Sequence, residues 1–257
     1  MVLSGRMSRI SLSGVLALFL ICLFWMHGAA PHAYSEADKR DILKRADQAR
    51  GYSREGIRWE VTVQSVENSR SRYITYDVQA RGFDFFAEVA APPRHRGGKL
   101  LMVSGNMWYH KPGLSKPFPI SQRQRLMGDA AYGDIAATNY AGNYEASIAG
   151  TDKIKGEKCY IFDLKASTRE ATYDRIRYWV SQERSIGLKA EYYTVSDKIM
   201  KTAFMEYENH IADTNFFISK ITIYEKIMSD TKTTLTFNNP LLEKIPNHIF
   251  NVNLMAR

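Results

Sequence analysis

Four histidines remain once the first 34 residues are set aside: His95, His110, His210 and His248. A serine, cysteine or threonine nucleophile needs such a base within hydrogen-bond reach. None of the four stands in a recognisable nucleophile motif, and G-x-S-x-G does not occur. Metal ligation asks for His, Cys, Asp or Glu clustered at ligand spacing. The nearest approach is Glu206-Tyr-Glu-Asn-His210. On a strand Glu206, Glu208 and His210 would share one face, but Met205 and Tyr207 would take the other, which makes the ligand-like face the wet one. Asp129 and Asp134 could do acid–base work as a carboxylate pair. Their setting among Gly and Ala also suits turn and cap positions. Gly-x-x-x-x-Gly-Lys is absent, so no phosphate loop is expected. The sequence thus argues against an enzyme and implies no metal and no cofactor.

Cys159 is the one thiol outside residues 1–34. It cannot form an internal disulfide, and it sits in Lys158-Cys-Tyr-Ile-Phe-Asp-Leu164 as a small core residue on a strand would.

Residues 1–34 read as an export signal. Arg6 and Arg9 precede an apolar run from Ile10 to Met26, and Gly28-Ala29-Ala30 or Ala33-Tyr34-Ser35 offers a cleavage point. The alternative is an uncleaved anchor, because about 17 apolar residues approach the minimum for a membrane span. No other stretch is long and apolar enough to cross. The expected mature chain, residues 35–257, is therefore an exported and non-spanning domain, and a periplasm fits a signal without a cysteine framework. Removing two arginines lowers the formal charge from +8 to +6. The basic residues are dispersed, and the densest cluster, Arg94-His95-Arg96, lies in a Pro/Gly turn. Nucleic-acid binding, which wants a basic stripe with stacking aromatics, is not indicated.

The elements that could position a site are mostly strands. Ser35 and Asp38 open a helix whose Ile42, Leu43, Ala46 and Ala49 recur on one face, and Gly51 ends it. Ile57, Trp59, Val61 and Val63 then alternate with polar residues. So do Ile74, Tyr76 and Val78, and Phe83, Phe85, Ala87 and Val89. Period-two patterns resume at residues 144–151, 158–166, 174–181, 188–195, 200–208, 218–228 and 232–238. This predicts ten or eleven antiparallel strands with two or three short helices, placed at residues 35–50, 120–127 and 241–248. No strand–helix–strand rhythm is present, so the fold class is mainly β. One large sheet accumulates twist and curls. Its apolar face would line a concavity that the helices and residues 105–140 must cover. These helices are few for ten strands, which makes room for a partly filled apolar cavity.

Residues 105–140 interrupt the strands. They contain Met107-Trp-Tyr-His-Lys-Pro112, then Ile120-Ser-Gln-Arg-Gln-Arg-Leu-Met-Gly-Asp129, then Tyr132-Gly-Asp-Ile135. Gly156-Glu-Lys-Cys-Tyr-Ile-Phe-Asp-Leu164, Arg177-Tyr-Trp-Val180 and Lys189-Ala-Glu-Tyr-Tyr193 follow in order. Together these motifs resemble the LolA-like family of outer-membrane lipoprotein-sorting proteins over residues 36–257. The interrupting stretch is longer and more polar than the lid of the classical carrier. The resemblance implies an incomplete antiparallel barrel with a helical lid over a hydrophobic cavity. It also implies a periplasmic carrier of lipoprotein acyl chains or other lipids, with the cargo open among a lipoprotein, a free lipid and a hopanoid-like molecule. The alternative is a non-catalytic interaction module accessory to an inner-membrane lipid exporter. Trp59, Val61, Tyr76, Val78, Phe85, Phe162 and Leu164 are the expected inward, lipid-facing residues, with Leu126, Met127 and Ile135 touching cargo from the lid.

Overall fold

A computed structural model describes residues 34–211, 215–225 and 231–256. The expected signal falls outside them, apart from Tyr34. A compact unit begins at Glu36. It opens with α1 (Glu36–Gln48), whose Ile42, Leu43 and Ala46 are buried. The helical spacing places these three on one side, and Asp47 is buried beside them.

The strands then run as two meanders. The first comprises β1 (Ser53–Glu67), β2 (Arg70–Gly82), β3 (Asp84–Ala91), β4 (Lys99–Val103), β5 (Asn106–His110) and β6 (Phe118–Ile120). A small hairpin follows, β7 (Arg125–Met127) with β8 (Ala130–Ala131), then a 3-10 turn at Tyr132–Ile135 and α2 (Tyr140–Asn143). The second meander comprises β9 (Tyr144–Ile154), β10 (Glu157–Ala166), β11 (Arg175–Ser181), β12 (Gly187–Tyr193) and β13 (Ile199–Glu206). After the hairpin β14 (Asn209–Ile211) and β15 (Asn215–Phe217), it finishes with β16 (Lys220–Glu225) and β17 (Lys232–Leu242).

All thirteen strands of the main sheet are antiparallel, in the order β6-β5-β4-β3-β2-β1-β17-β16-β13-β12-β11-β10-β9. The pairing of β1 with β17, from Ile57–Leu242 to Val66–Lys232, joins the two meanders. The edges β6 and β9 do not pair, so the barrel is incomplete. Pro119 is accommodated because β6 is an edge strand. Tight turns close the hairpins. Asn68-Ser69 and Lys155-Gly156 both take positive φ at successive residues, the geometry that matches strand twist.

The sheet curls around one apolar cluster. Met107 on β5 and Cys159 on β10 stand near opposite ends of the strand order, yet both belong to it, together with Leu43 of α1. The mainly β, curled half-barrel with a small helical cover is therefore the observed architecture.

Three local expectations are corrected. Residues 120–127 form no helix. They make the end of β6, a turn at Ser121–Gln124 and β7, because Arg125–Met127 pairs with Ala130–Ala131 instead of coiling on itself. Residues 241–248 form no helix either. The ladder of β1 carries β17 through Pro240 to Leu242, and a 3-10 turn begins only at Asn247. The outer face is not wholly wet. Ile245, Phe250 and Met255 of the C-terminal segment bury Leu101 on the convex side of β3–β5, and Arg81 anchors them by donating to the Ile245 carbonyl at 2.8 Å.

Candidate functional site

The period-two strands put the expected residues where alternation requires. Trp59, Val61, Tyr76, Val78, Phe85, Phe162 and Leu164 are all buried in the single concave cluster. Ile135 of the lid is fully buried with them, and Leu126 and Met127 pack partly buried against the same cluster. None of these ten lines any of the openings around the lid. The concave face is thus closed by packing, and α1 and residues 120–143 do the closing.

The lid is tied down by polar contacts. Asp47, in the last turn of α1, accepts from Thr138 Oγ1 at 2.7 Å, from the Tyr140 amide at 3.0 Å and from the Ala141 amide at 3.0 Å. It caps α2 from another element, satisfying two donors a four-residue helix leaves open. Burial pushes its carboxyl up to about 7, against the pull of these three donors and of the Arg50 charge. Arg50 follows at the end of the helix with 4% exposure, donating to Met205 Sδ at 3.6 Å. Its Nε has no partner. Tyr140 and Tyr178 meet edge to face at 5.1 Å beside it, and burial holds both phenols well above their ordinary range, so they are neutral hydroxyls.

A second tether fixes the 3-10 turn. Asp134 accepts from the Ala131 amide at 2.8 Å, from Tyr173 Oη at 2.8 Å and from Lys201 Nζ at 2.8 Å. Lys201 is buried at 4% exposure and also donates to the Asp129 carbonyl at 2.8 Å. It lies over the Tyr173 and Tyr192 rings at 4.7 and 5.1 Å. Two further links join the lid to the sheet. Arg123 pairs with Asp174 at 2.8 Å, and the Asp129 amide donates to Thr233 Oγ1 at 2.9 Å. Gly128 makes that last approach possible. With φ +52°, it sits where a Cβ would fall 2.3 Å from Thr233 Oγ1 and 2.4 Å from Ser65 Oγ. It is a docking residue, not a helix stop.

The catalytic candidates take other roles. Asp134 is the cap and ion-pair partner just described. Burial, with the neighbouring Glu225, pushes Asp129 up to about 6. His110 is buried, with Nε2 2.9 Å from the Leu114 carbonyl oxygen, and His210 packs on Phe216 at 5.4 Å. Among the described residues, no three of His, Cys, Asp and Glu converge as metal ligands would.

Sequence reading missed Asp47, Arg50 and Lys201. Two of them left a signal. Asp47 falls four residues after Leu43 on the apolar side of α1, and Lys201 alternates with Ala203 and Met205 on the inward side of β13. A charge on the wrong face of an otherwise regular pattern marks a buried polar contact. Arg50 left none, because it lies where the helical pattern has ended.

Two of the openings that flank the lid share Phe83 and Asn139. One, of about 540 Å³, lies between the lid and the β2–β3 and β4–β5 turns and is lined by Arg50, Asp134, Tyr140 and Tyr173 among others. The other is a groove of about 1150 Å³ between α1 and the β14–β15 hairpin.

A family model described as "Uncharacterized protein" matches residues 83–257, well over half of the chain. A LolA superfamily protein from Nitrosomonas europaea superposes with a TM-score of 0.76 at 26% identity, over 83% of this chain and 97% of the other. This chain belongs to the LolA-like family. The LolA-like half-barrel also matches an outer membrane lipoprotein-sorting protein domain from Vibrio parahaemolyticus, with a TM-score of 0.74 at 15% identity over 87% and 100% of the two chains. It matches a DUF1329 family protein from Desulfovibrio piger with a TM-score of 0.70 at 18% identity, over 83% and 95%. These two share the fold. Among curated proteins, none matches the chain. No helix of the described residues is long and apolar enough to cross a membrane.

Proposed function

We propose that this LolA-like protein is a periplasmic carrier that shields the acyl chain of a lipid or lipoprotein on its way towards the outer membrane. The observation that carries this reading is one apolar face, built from both meanders, closed by a lid that buried polar contacts hold. In the carrying state α1 and residues 120–143 lift. The chain then lies against Trp59, Val61, Tyr76, Val78, Phe85, Phe162 and Leu164, with Leu126, Met127 and Ile135 over it. Each methylene kept from water contributes about 0.8 kcal/mol. Buried polar tethers suit a cover that must open as a unit, because their partners are discrete and break together. The protein acts by binding and release, without a covalent step. Its relationship to a LolA superfamily protein and its lipoprotein-sorting fold neighbour support export and lipid traffic as the setting.

The test is uptake of a fluorescent fatty-acyl probe by the purified protein. Saturable binding at micromolar concentration is expected, with displacement by extracted lipid. A protein that emerges lipid-free and ignores such probes refutes the carrier reading.

A further inference from the structure

The groove beside the lid carries charge that the tethers do not use. Arg40 and Lys44 stand one turn apart on α1, Arg45 follows, and Arg54 comes from the start of β1. All four are exposed. Lys44 has Asp41 at 3.1 Å, and Arg184 across the groove has Glu157 at 2.5 Å. Arg40, Arg45 and Arg54 have no carboxylate partner among the described residues. Three unpaired guanidinium groups around one concavity repel one another and raise the local concentration of anions. The fork of an arginine matches phosphate oxygens in pairs.

The rest of the groove combines polar residues, among them Gln48, Asn139 and Glu183, with an apolar surface. Tyr52 packs on Phe83 at 4.7 Å, and Ile186, Phe216 and Leu242 continue the surface. Phe83 and Leu242 are 36% and 50% exposed. A groove with free arginines on one side and exposed aromatic and aliphatic groups on the other complements a molecule that is anionic at one end and apolar at the other. Phe83 and Asn139 line both this groove and the cavity on the other side of the lid. A chain attached to a headgroup here would pass Phe83 to reach the lid's inner side.

We propose that the groove receives the phosphate headgroup of an anionic lipid, which makes the cargo a phosphate-bearing lipid and not a neutral one. This rests on the carrier reading. It adds a headgroup site formed by Arg40, Arg45 and Arg54 outside the lid tethers.

The test titrates fluorescent phosphatidylglycerol and fluorescent diacylglycerol, matched in chain length, into the purified protein. Phosphatidylglycerol is expected to bind about tenfold more tightly at low ionic strength, with the advantage shrinking as salt rises. The triple variant R40Q/R45Q/R54Q should lose that advantage and keep diacylglycerol binding. Gln matches Arg in helix propensity, so α1 should survive. The single variant R54Q, off the helix, should lose part of the advantage with no change in thermal midpoint. Equal affinity for the two lipids, unchanged in both variants, overturns the headgroup site and leaves the carrier reading standing. No uptake of either lipid overturns both. Full displacement of phosphatidylglycerol by millimolar inorganic phosphate would make this a free-anion site. Flotation with phosphatidylglycerol vesicles without uptake of single lipids would make it a membrane-docking face. Either result overturns the proposal.

Discussion

Asp47→Asn separates the two opposing effects at the principal lid tether. The carboxyl is buried, and its pKa stands at about 7 instead of the ordinary 3.8. The folded protein therefore holds the proton more tightly than the unfolded chain does. The tether's full stability is present below about pH 4 and is lost as pH rises through about 7. Once ionised, a carboxyl so displaced costs about 4 kcal/mol. The Asn variant never ionises. Its Oδ1 can still accept from Thr138 and Tyr140, but its amide turns a donor towards the Ala141 N–H, where Asp47 Oδ2 now accepts at 3.0 Å. Leaving that part-buried amide unpaired costs about 1–3 kcal/mol. At pH 5 the variant should be the less stable protein by that amount. At pH 8 the relief of the buried charge should cancel the loss or exceed it. The assay is urea denaturation of both proteins from pH 4.5 to 8.5, read as the difference in unfolding free energy. A difference that stays constant across the range, or one that moves against the variant as pH rises, refutes the reasoning.

Two other substitutions probe the lid. Gly128→Ala combines a left-handed backbone with a Cβ 2.3 Å from Thr233 Oγ1, and should cost about 1–3 kcal/mol in urea denaturation by straining the backbone and lifting β7–β8 from β1 and β17; an unchanged midpoint would show that the lid does not dock there. Lys201→Met leaves Asp134 buried without its cation and should cost about 3–5 kcal/mol, whereas Lys201→Met with Asp134→Asn should recover part of that loss in a double-mutant cycle; additive losses would mean that the two charges do not act as a pair.

Alternation by itself determined which strand residues face inward. Trp59, Val61 and Val63 share a side of β1 whatever β1 pairs with, because the side-chain period is two. The helix at residues 36–48 was legible for the same kind of reason. Its apolar positions, Ile42, Leu43 and Ala46, follow the 3.6-residue period instead of the alternation of a strand. The order of quoted motifs sufficed for the family. Short apolar groups were not legible. Leu126-Met127 and Leu241-Leu242 fit a helix or a strand equally well by periodicity. Tertiary structure decided both as strands, one against Ala130–Ala131 and one against Ile57–Arg58 of β1.

The polar lid contacts lie further from the sequence. Asp134 and Lys201 are 67 residues apart, and Asp47 and Ala141 are 94 apart. Their meeting depends on β1 pairing with β17 and on the sheet curling far enough to bring β13 under the lid. A residue's type shows whether it could hold a buried partner. Only the closed sheet determines which partner arrives, and that decided that this interrupting stretch is held by a buried aspartate on α1 and a buried lysine on β13.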